Sequence, residues 1–298
     1  MIDLNRIYAL EMMRKRRLDS GDNVAKFSVT TTGPAQTLSI RILGFSAPTD
    51  VDWGDTISEN FTGSATRSHT YANAGTYVVK IMQPENVTNF DLRDSKVTLF
   101  NSADIKSMVN MVTLYTNFLS NAVSLWNFSD LSKWRPTSFT LVGIGFLTGT
   151  LNSADIKDWA PNVFMAGGAS FNGQFDTAHL SSWNPQTVSL NKALNLSLTI
   201  SPNSIKNWRA LNSLDLRTRT LTQPQVDLIL WEMYQISRTA TSGAAYLGVS
   251  GNAAPSGTFQ ACQSPPVSAT TPGKEIAYEL LNDSIGVGFN KWATVQIN

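Results

Sequence analysis

The sequence predicts a mainly β fold with short helices: an N-terminal helix, a small β-sandwich, then a solenoid of coils of about 25 residues. Three observations predict it. First, one short phrase returns five times, as Ser102–Met108, Ser129–Trp134, Ser153–Trp159, Thr177–Trp183 and Asn203–Trp208. Its aliphatic residue falls at Ile105, Leu131, Ile156, Leu180 and Ile205, at steps of 26, 25, 24 and 25. A fixed period of that size is the signature of stacked coils. Second, the stretch before residue 84 alternates apolar and polar residues in short runs. Third, only 15% of the 298 residues are charged, and Ser, Thr and Asn are plentiful, which suits a β-rich, extracellular type of surface.

Residues 1–21 are expected to form an anchoring helix. Asp3 is placed to cap it, Gly21 to end it, and Leu4, Ile7 and Tyr8 share one side. Arg14, Lys15, Arg16 and Arg17 fall in its last turns, where positive charge offsets the helix dipole. The sharper reading of Leu4, Ile7, Tyr8, Arg14 and Arg17 is a peg that docks on a partner or on copies of itself. The basic cluster follows the apolar stretch and Asp3 and Glu11 interrupt it, so the segment does not read as a secretion signal.

Residues 22–84 are expected to be the sandwich. Lys26–Thr30 and Thr37–Ile42 alternate, with Gly33-Pro34 between them. Two phrases follow, Val51-Asp52-Trp53-Gly54-Asp55-Thr56 and His69-Thr70-Tyr71-Ala72-Asn73-Ala74-Gly75-Thr76-Tyr77. Together they resemble the polycystic-kidney-disease (PKD) type of immunoglobulin-like domain, marked by an aromatic-Gly-Asp-Gly turn and a His-x-Tyr-x-x-x-Gly-x-Tyr strand pair. Thr56 stands where that family usually has Gly. Trp53 is expected to fill the centre of the sandwich, and His69 to be a packed strand residue. Asp52 and Asp55 alone fall short of the six or more oxygens calcium requires.

Residues 85–298 are expected to be the repeat array with its closing unit. Strand candidates include Phe90–Arg93, Val112–Tyr115, Phe139–Val142, Val163–Ala166, Val188–Asn191, Leu214–Arg217 and Leu247–Ser250. The period and strand pattern resemble the leucine-rich repeat of bacterial and viral proteins. The recurring Trp residues are expected to wedge between coils, and Asp104, Asp130 and Asp155 to cap the short helical phrases. Pro224–Tyr234 reads as a longer helix, 274–283 as another, and Trp292–Ile297 as a final strand. Together they would close the exposed end, as the last coil of such an array requires. The stretch from Leu247 to the final strand also resembles the closing unit of repeat proteins encoded in phage tail regions.

No catalytic constellation is present in the sequence. His69 and His179 each lie inside a structural motif, and there is no phosphate loop and no nucleophile elbow. Cys262 stands alone, so no intrachain disulfide can form. A formal net charge of +1 argues against nucleic acid as a partner. No apolar run is long enough to span a bilayer. No cofactor or metal is expected.

The candidate binding face is the set of variable strand residues. Thr113, Thr140, Phe164, Ser189 and Asp215 are aligned in one column, and Tyr115, Val142, Ala166, Asn191 and Arg217 in the next. The resemblances imply a non-enzymatic bacteriophage virion protein, in a tail fibre, baseplate appendage or capsid decoration. It would be made in the host cytoplasm without a signal peptide and exposed on the particle. Its expected partners are other virion proteins through the N-terminal helix, a host cell-surface glycan or protein on the array, and further copies of itself. The alternative is a bacterial cell-surface adhesin built from the same modules.

Overall fold

The computed structural model describes residues 23–297, apart from 118, 143, 168–169, 192–194, 218–220, 237–242, 249–251, 267, 269 and 284–291. The expected anchoring helix, with Leu4, Ile7, Tyr8, Arg14 and Arg17, lies outside the described residues. The described chain is mainly β, and most of it belongs to one 16-stranded sheet.

Four antiparallel strands come first: β1 (Ala25–Thr31), β2 (Gln36–Asp52), β3 (Ser58–Tyr71) and β4 (Gly75–Ile81). Alternation in β1 turns Ala25, Phe27, Val29 and Thr31 inward. Trp53 is fully buried, and its indole N–H donates to Glu59 Oε2 at 3.1 Å. The His69 ring stacks on Trp53 at 5.0 Å, and Tyr71 stacks on Tyr77 at 4.1 Å. The Tyr71 hydroxyl donates to the Trp53 carbonyl at 3.1 Å. Burial, with Asp55, Tyr77 and Asp52 nearby, pushes that hydroxyl's pKa up. His69 is packed, as its strand context suggested, and it also pairs through Nε2 with Asp55 Oδ2 at 2.7 Å. The Asp52 carboxylate accepts from the Gly54 N–H at 2.9 Å and closes the turn. Thr56 sits at φ +76°, the left-handed conformation that explains why glycine suits this position.

The parallel part follows. Its strands are β5 (Val87–Leu92), β6 (Val97–Leu99), β7 (Thr113–Thr116), β8 (Leu119–Asn127), β9 (Ser138–Leu141), β10 (Ile144–Thr150), β11 (Val163–Ala166), β12 (Ser170–Asn172), β13 (Gln174–Asp176), β14 (Thr187–Ser189), β15 (Ser197–Thr199), β16 (Ser213–Asp215), β17 (Ala244–Tyr246) and β18 (Thr294–Gln296). One parallel ladder, the front, runs β5-β7-β9-β11-β14-β16-β17-β18. A second, the back, runs β6-β8-β10-β12, and β13 pairs with β15 beyond it. The antiparallel strands join the two, because β2 pairs with β5 and β1 pairs with β6. The boundary expected at 84/85 therefore falls between strands of a single sheet. The strand expected at Leu247–Ser250 is placed earlier, at β17, where Ala245 supplies the inward residue.

A short helical turn forms the corner of each period, at Ser102–Ile105, Phe128–Leu131, Ser153–Ile156, Thr177–Leu180 and Ile205–Asn207. In every copy the residue at the Trp position donates its backbone N–H to the aliphatic residue three before it. The five bonds, from Met108, Trp134, Trp159, Trp183 and Trp208, measure 2.8–3.0 Å. All four of these Trp side chains are buried. The Trp134 and Trp208 indoles donate to carbonyls of the preceding coil, Lys106 at 3.3 Å and Leu180 at 3.2 Å.

Asp104, Asp130 and Asp155 do not cap these turns through their side chains, contrary to expectation. In three of the five turns the buried first residue, a serine or threonine, bonds across to the next coil instead. The hydroxyls of Ser102, Ser153 and Thr177 accept backbone N–H bonds from the next coil, from Asn127 at 2.9 Å, Asp176 at 2.8 Å and Ser201 at 2.9 Å. Each hydroxyl also meets a side chain of that coil: Asp130 Oδ2 at 2.6 Å, His179 Nδ1 at 2.9 Å and Ser204 Oγ at 2.6 Å. The Ser204 hydroxyl donates its own proton to the Ser201 carbonyl, so Thr177 is the donor in the last pair.

After β16 comes the helix Gln223–Tyr234, whose Thr222 and Gln225 form a capping box, and the front ladder then runs on to end at β18. Its buried Glu232 reaches back to the last corner and accepts backbone N–H bonds from Asn203, Ile205 and Lys206. Burial pushes the Glu232 carboxyl above its ordinary pKa, and the three N–H donors pull against that.

Thr177→Val keeps shape but leaves the Ser201 N–H and the Ser204 hydroxyl without this partner. It should cost about 1–3 kcal/mol in urea denaturation, against less than ~0.5 kcal/mol for the exposed Thr294→Val. Thr56→Gly relieves a left-handed non-glycine residue. It should raise stability by about 0.5–1 kcal/mol, read as a higher denaturation midpoint with unchanged slope.

Candidate functional site

In a parallel ladder the residues directly paired across strands form columns, and alternate columns face opposite ways. The inward columns are Phe90-Leu114-Phe139-Phe164-Val188-Leu214 and Leu92-Thr116-Leu141-Ala166, all buried. Aromatic contacts run along this interior, from Phe90 on Phe100 at 5.7 Å to Phe139 on Phe164 at 5.7 Å. The outward columns are Asn89-Thr113-Ser138-Val163-Thr187-Ser213-Ala244-Thr294 and Asp91-Tyr115-Thr140-Met165-Ser189-Asp215-Tyr246-Gln296.

These columns correct the expected ones. Tyr115, Thr140, Ser189 and Asp215 share the second outward column, and Thr113 heads into the first. Phe164 and Ala166 are not on the face: both are fully buried in the core. Val142, Asn191 and Arg217 lie past the ends of β9, β14 and β16, half-buried, rather than in a strand column. The physical reason is register. The coils differ in length by a residue, and a slip of one residue exchanges the two faces. Asp91, Arg93, Met165 and Tyr246 belong to this site and were not picked out. The repeated phrase Asp-Leu-Arg, at 91–93 and again at 215–217, is the signal that marks them.

Those two phrases build the same device at two places on the face. Arg93 forks onto Asp91, with Nε at 2.7 Å and Nη2 at 2.9 Å, and its guanidinium lies 3.9 Å over the Tyr115 ring. Arg217 forks onto Asp215 at 2.8 and 2.6 Å and lies 5.0 Å over Tyr246. The hydrogen bond to Asp215 holds the Arg217 guanidinium above its ordinary pKa. Each carboxylate is mostly buried and each guanidinium about a quarter exposed, so both charges are paired within the chain. Tyr115 and Tyr246 are five strand steps apart, or roughly 24 Å. Between them lie Thr140, Met165 and Ser189. Thr140 and Ser189 are buried, so the accessible part of this strip is the half-buried Met165 between two cation-backed tyrosines, an arrangement suited to stacking.

Other groups are committed elsewhere. Asp52 and Asp55 serve the first module's turn, and His179 meets Ser153. Among the described residues no group of three or more His, Cys, Asp or Glu side chains is placed to hold a metal, and no helix is long and apolar enough to cross a membrane. Cys262 is buried, and its backbone N–H donates to Glu279 Oε1 at 3.0 Å. Burial, then the charges of Glu279 and Glu275, push its thiol up to about 11. No family model matches the chain, and no curated protein or solved structure matches it.

The Cys262 thiol should therefore react with iodoacetamide at pH 8 about 100-fold more slowly in the folded protein than in denaturant, because a two-unit rise cuts the thiolate fraction by that factor. Equal rates would show the thiol to be accessible and ionised.

Proposed function

We propose that the protein is a non-enzymatic structural and recognition component of a bacteriophage particle. On this reading β1–β4 are a PKD-type immunoglobulin-like module and the parallel coils are a leucine-rich-repeat type of solenoid. The solenoid points away from the particle, and residues 1–21 attach it. The observation that carries the recognition role is the outward strip from Tyr115 to Tyr246. It is regular, largely uncharged and bounded by two identical Asp-Arg-Tyr assemblies. Packing does not require tyrosine on a solvent-facing column, whereas recognition of a flat polar surface such as a cell-wall glycan does use it. The Trp53, His69, Tyr71 and Tyr77 cluster and the 25-residue spacing support the module assignment.

The reading is tested at two levels. Genes beside this one should encode portal, capsid or tail proteins; neighbours for secretion or cell-wall assembly would favour the adhesin alternative. Labelled protein should bind intact host cells, and Tyr115→Ala with Tyr246→Ala should weaken that binding at least ~10-fold while leaving the melting transition within a few degrees. Unchanged binding by the double variant would remove the strip from the recognition role.

A further inference from the structure

The back ladder has an outward face too, and it is unlike the front. Strand register places Leu99 beside Val123, and Val123 beside Phe146. All three point outward, at 37%, 59% and 65% exposure, and Leu125, on the same side of β8, is 51% exposed. Single exposed apolar residues are ordinary on a protein surface, but four at neighbouring positions on three adjacent strands are not. The ridge is bordered by polar side chains, Ser28 on β1, Asn121 on β8, and Thr148 and Ser170 on β10 and β12.

We infer that this ridge is the seat of the chain's own N-terminal segment. Three facts on either side of the contact support the match. The ridge begins at β6, the strand that pairs with β1, and Ser28 of β1 lies directly opposite Leu99. The preceding chain leaves β1 at Ala25, where Lys26 is held against Asp104, at the corner into which β6 runs. The segment therefore starts one strand from the ridge. Its first ten residues include Ile2, Leu4, Ile7, Tyr8 and Leu10, ahead of the cationic run Arg14–Arg17.

The distances agree. Phe146 is three strand steps from β1, about 14 Å. The fifteen positions from Leu10 to Ala25 cover roughly 22 Å even at helical rise, and more if extended. A tethered segment also has a large advantage over a free partner, because its effective concentration is of millimolar order. On this proposal the segment's apolar residues cover the ridge. This inference stands apart from the virion reading: it concerns the free protein in solution and holds whatever the particle context.

Limited trypsin digestion of the full chain tests it, since Arg14, Lys15, Arg16 and Arg17 are cleavage sites within the segment. Val123→Asp and Phe146→Asp, both at solvent-facing positions, remove the apolar seat without touching the core. In the unaltered protein, cleavage at 14–17 should be slow. In either variant it should be at least roughly tenfold faster, with cleavage at the exposed Arg135 and Lys157 unchanged. Deleting residues 1–21 should, in parallel, raise the fluorescence of a hydrophobic dye several-fold, and Phe146→Asp in the deleted chain should abolish that rise. Equal cleavage of the segment in all three proteins would overturn the inference. So would protection that disappears on dilution, because a second copy would then be the occupant.

Discussion

The coils are held in register by buried hydroxyl groups, and the rest of the molecule depends on that register. The inward columns alone would not fix it. Phe90, Leu114, Phe139, Phe164, Val188 and Leu214 make a continuous apolar wall, and apolar contact is non-directional. A one-residue slip would still bury much apolar surface while turning a whole strand inside out. Ser102, Ser153 and Thr177 forbid it, because each hydroxyl takes one particular N–H of the next coil and pairs with one particular side chain there. A slipped coil would strand these groups in the interior, at about 1–3 kcal/mol for each one left unpaired. Hydrophobic burial thus supplies most of the stabilisation, and a few polar atoms choose which of the near-equivalent stackings is adopted.

A parallel ladder built this way has two ends, and each exposes backbone groups and apolar side chains. The chain closes the two ends by different means. At the start, β1 and β2 pair antiparallel with β6 and β5, so the first module supplies the missing neighbour to both ladders at once. Phe27 reaches into the same interior, with its ring 5.9 Å from Phe90 and 6.3 Å from Phe100. Toward the far end the helix Gln223–Tyr234 meets the last corner, where Glu232 satisfies three N–H groups with one carboxylate, and the front ladder ends in the short strand β18. A buried carboxylate is costly when isolated, and three donors from a tight helical turn offset much of that cost.

How much of this the sequence made legible follows from which forces leave a periodic trace. The 25-residue phrase was readable because each Trp and each aliphatic residue must return to one buried corner. The turn at Trp53-Gly54-Asp55 was readable because its constraints are local. Register was not readable, because coils of 24 to 26 residues absorb their difference in loops, and pairing depends on where the extra residue goes. Phe164 was assigned to the outward face for that reason. The hydroxyl ladder was hidden for another. A Ser or Thr ahead of a helical turn has two uses, capping its own helix or bonding the next coil, and the sequence is the same for both. The aspartates were read as caps because a carboxylate suits a helix N-terminus. The folded chain gives Asp130 to Ser102 and Asp104 to Asn101 and Lys26 instead.

The two outward faces come from the same alternation and therefore meet no different demand from the core. Their difference is a separate property of the sequence. On the front, hydroxyl residues dominate, and the charged residues of the two outward columns among the described residues, Asp91 and Asp215, are each neutralised by an arginine two positions later. Such a face attracts neither anions nor cations over distance, so a ligand would be held by stacking and short hydrogen bonds, with little dependence on salt. On the back, Leu99, Val123, Leu125 and Phe146 offer only apolar contact, which is undirected and gains from any cover that excludes water. A face that is polar and rigid suits a ligand met in solution. A face that is apolar gains from being covered, and a tethered cover loses less freedom on binding than a separate partner would.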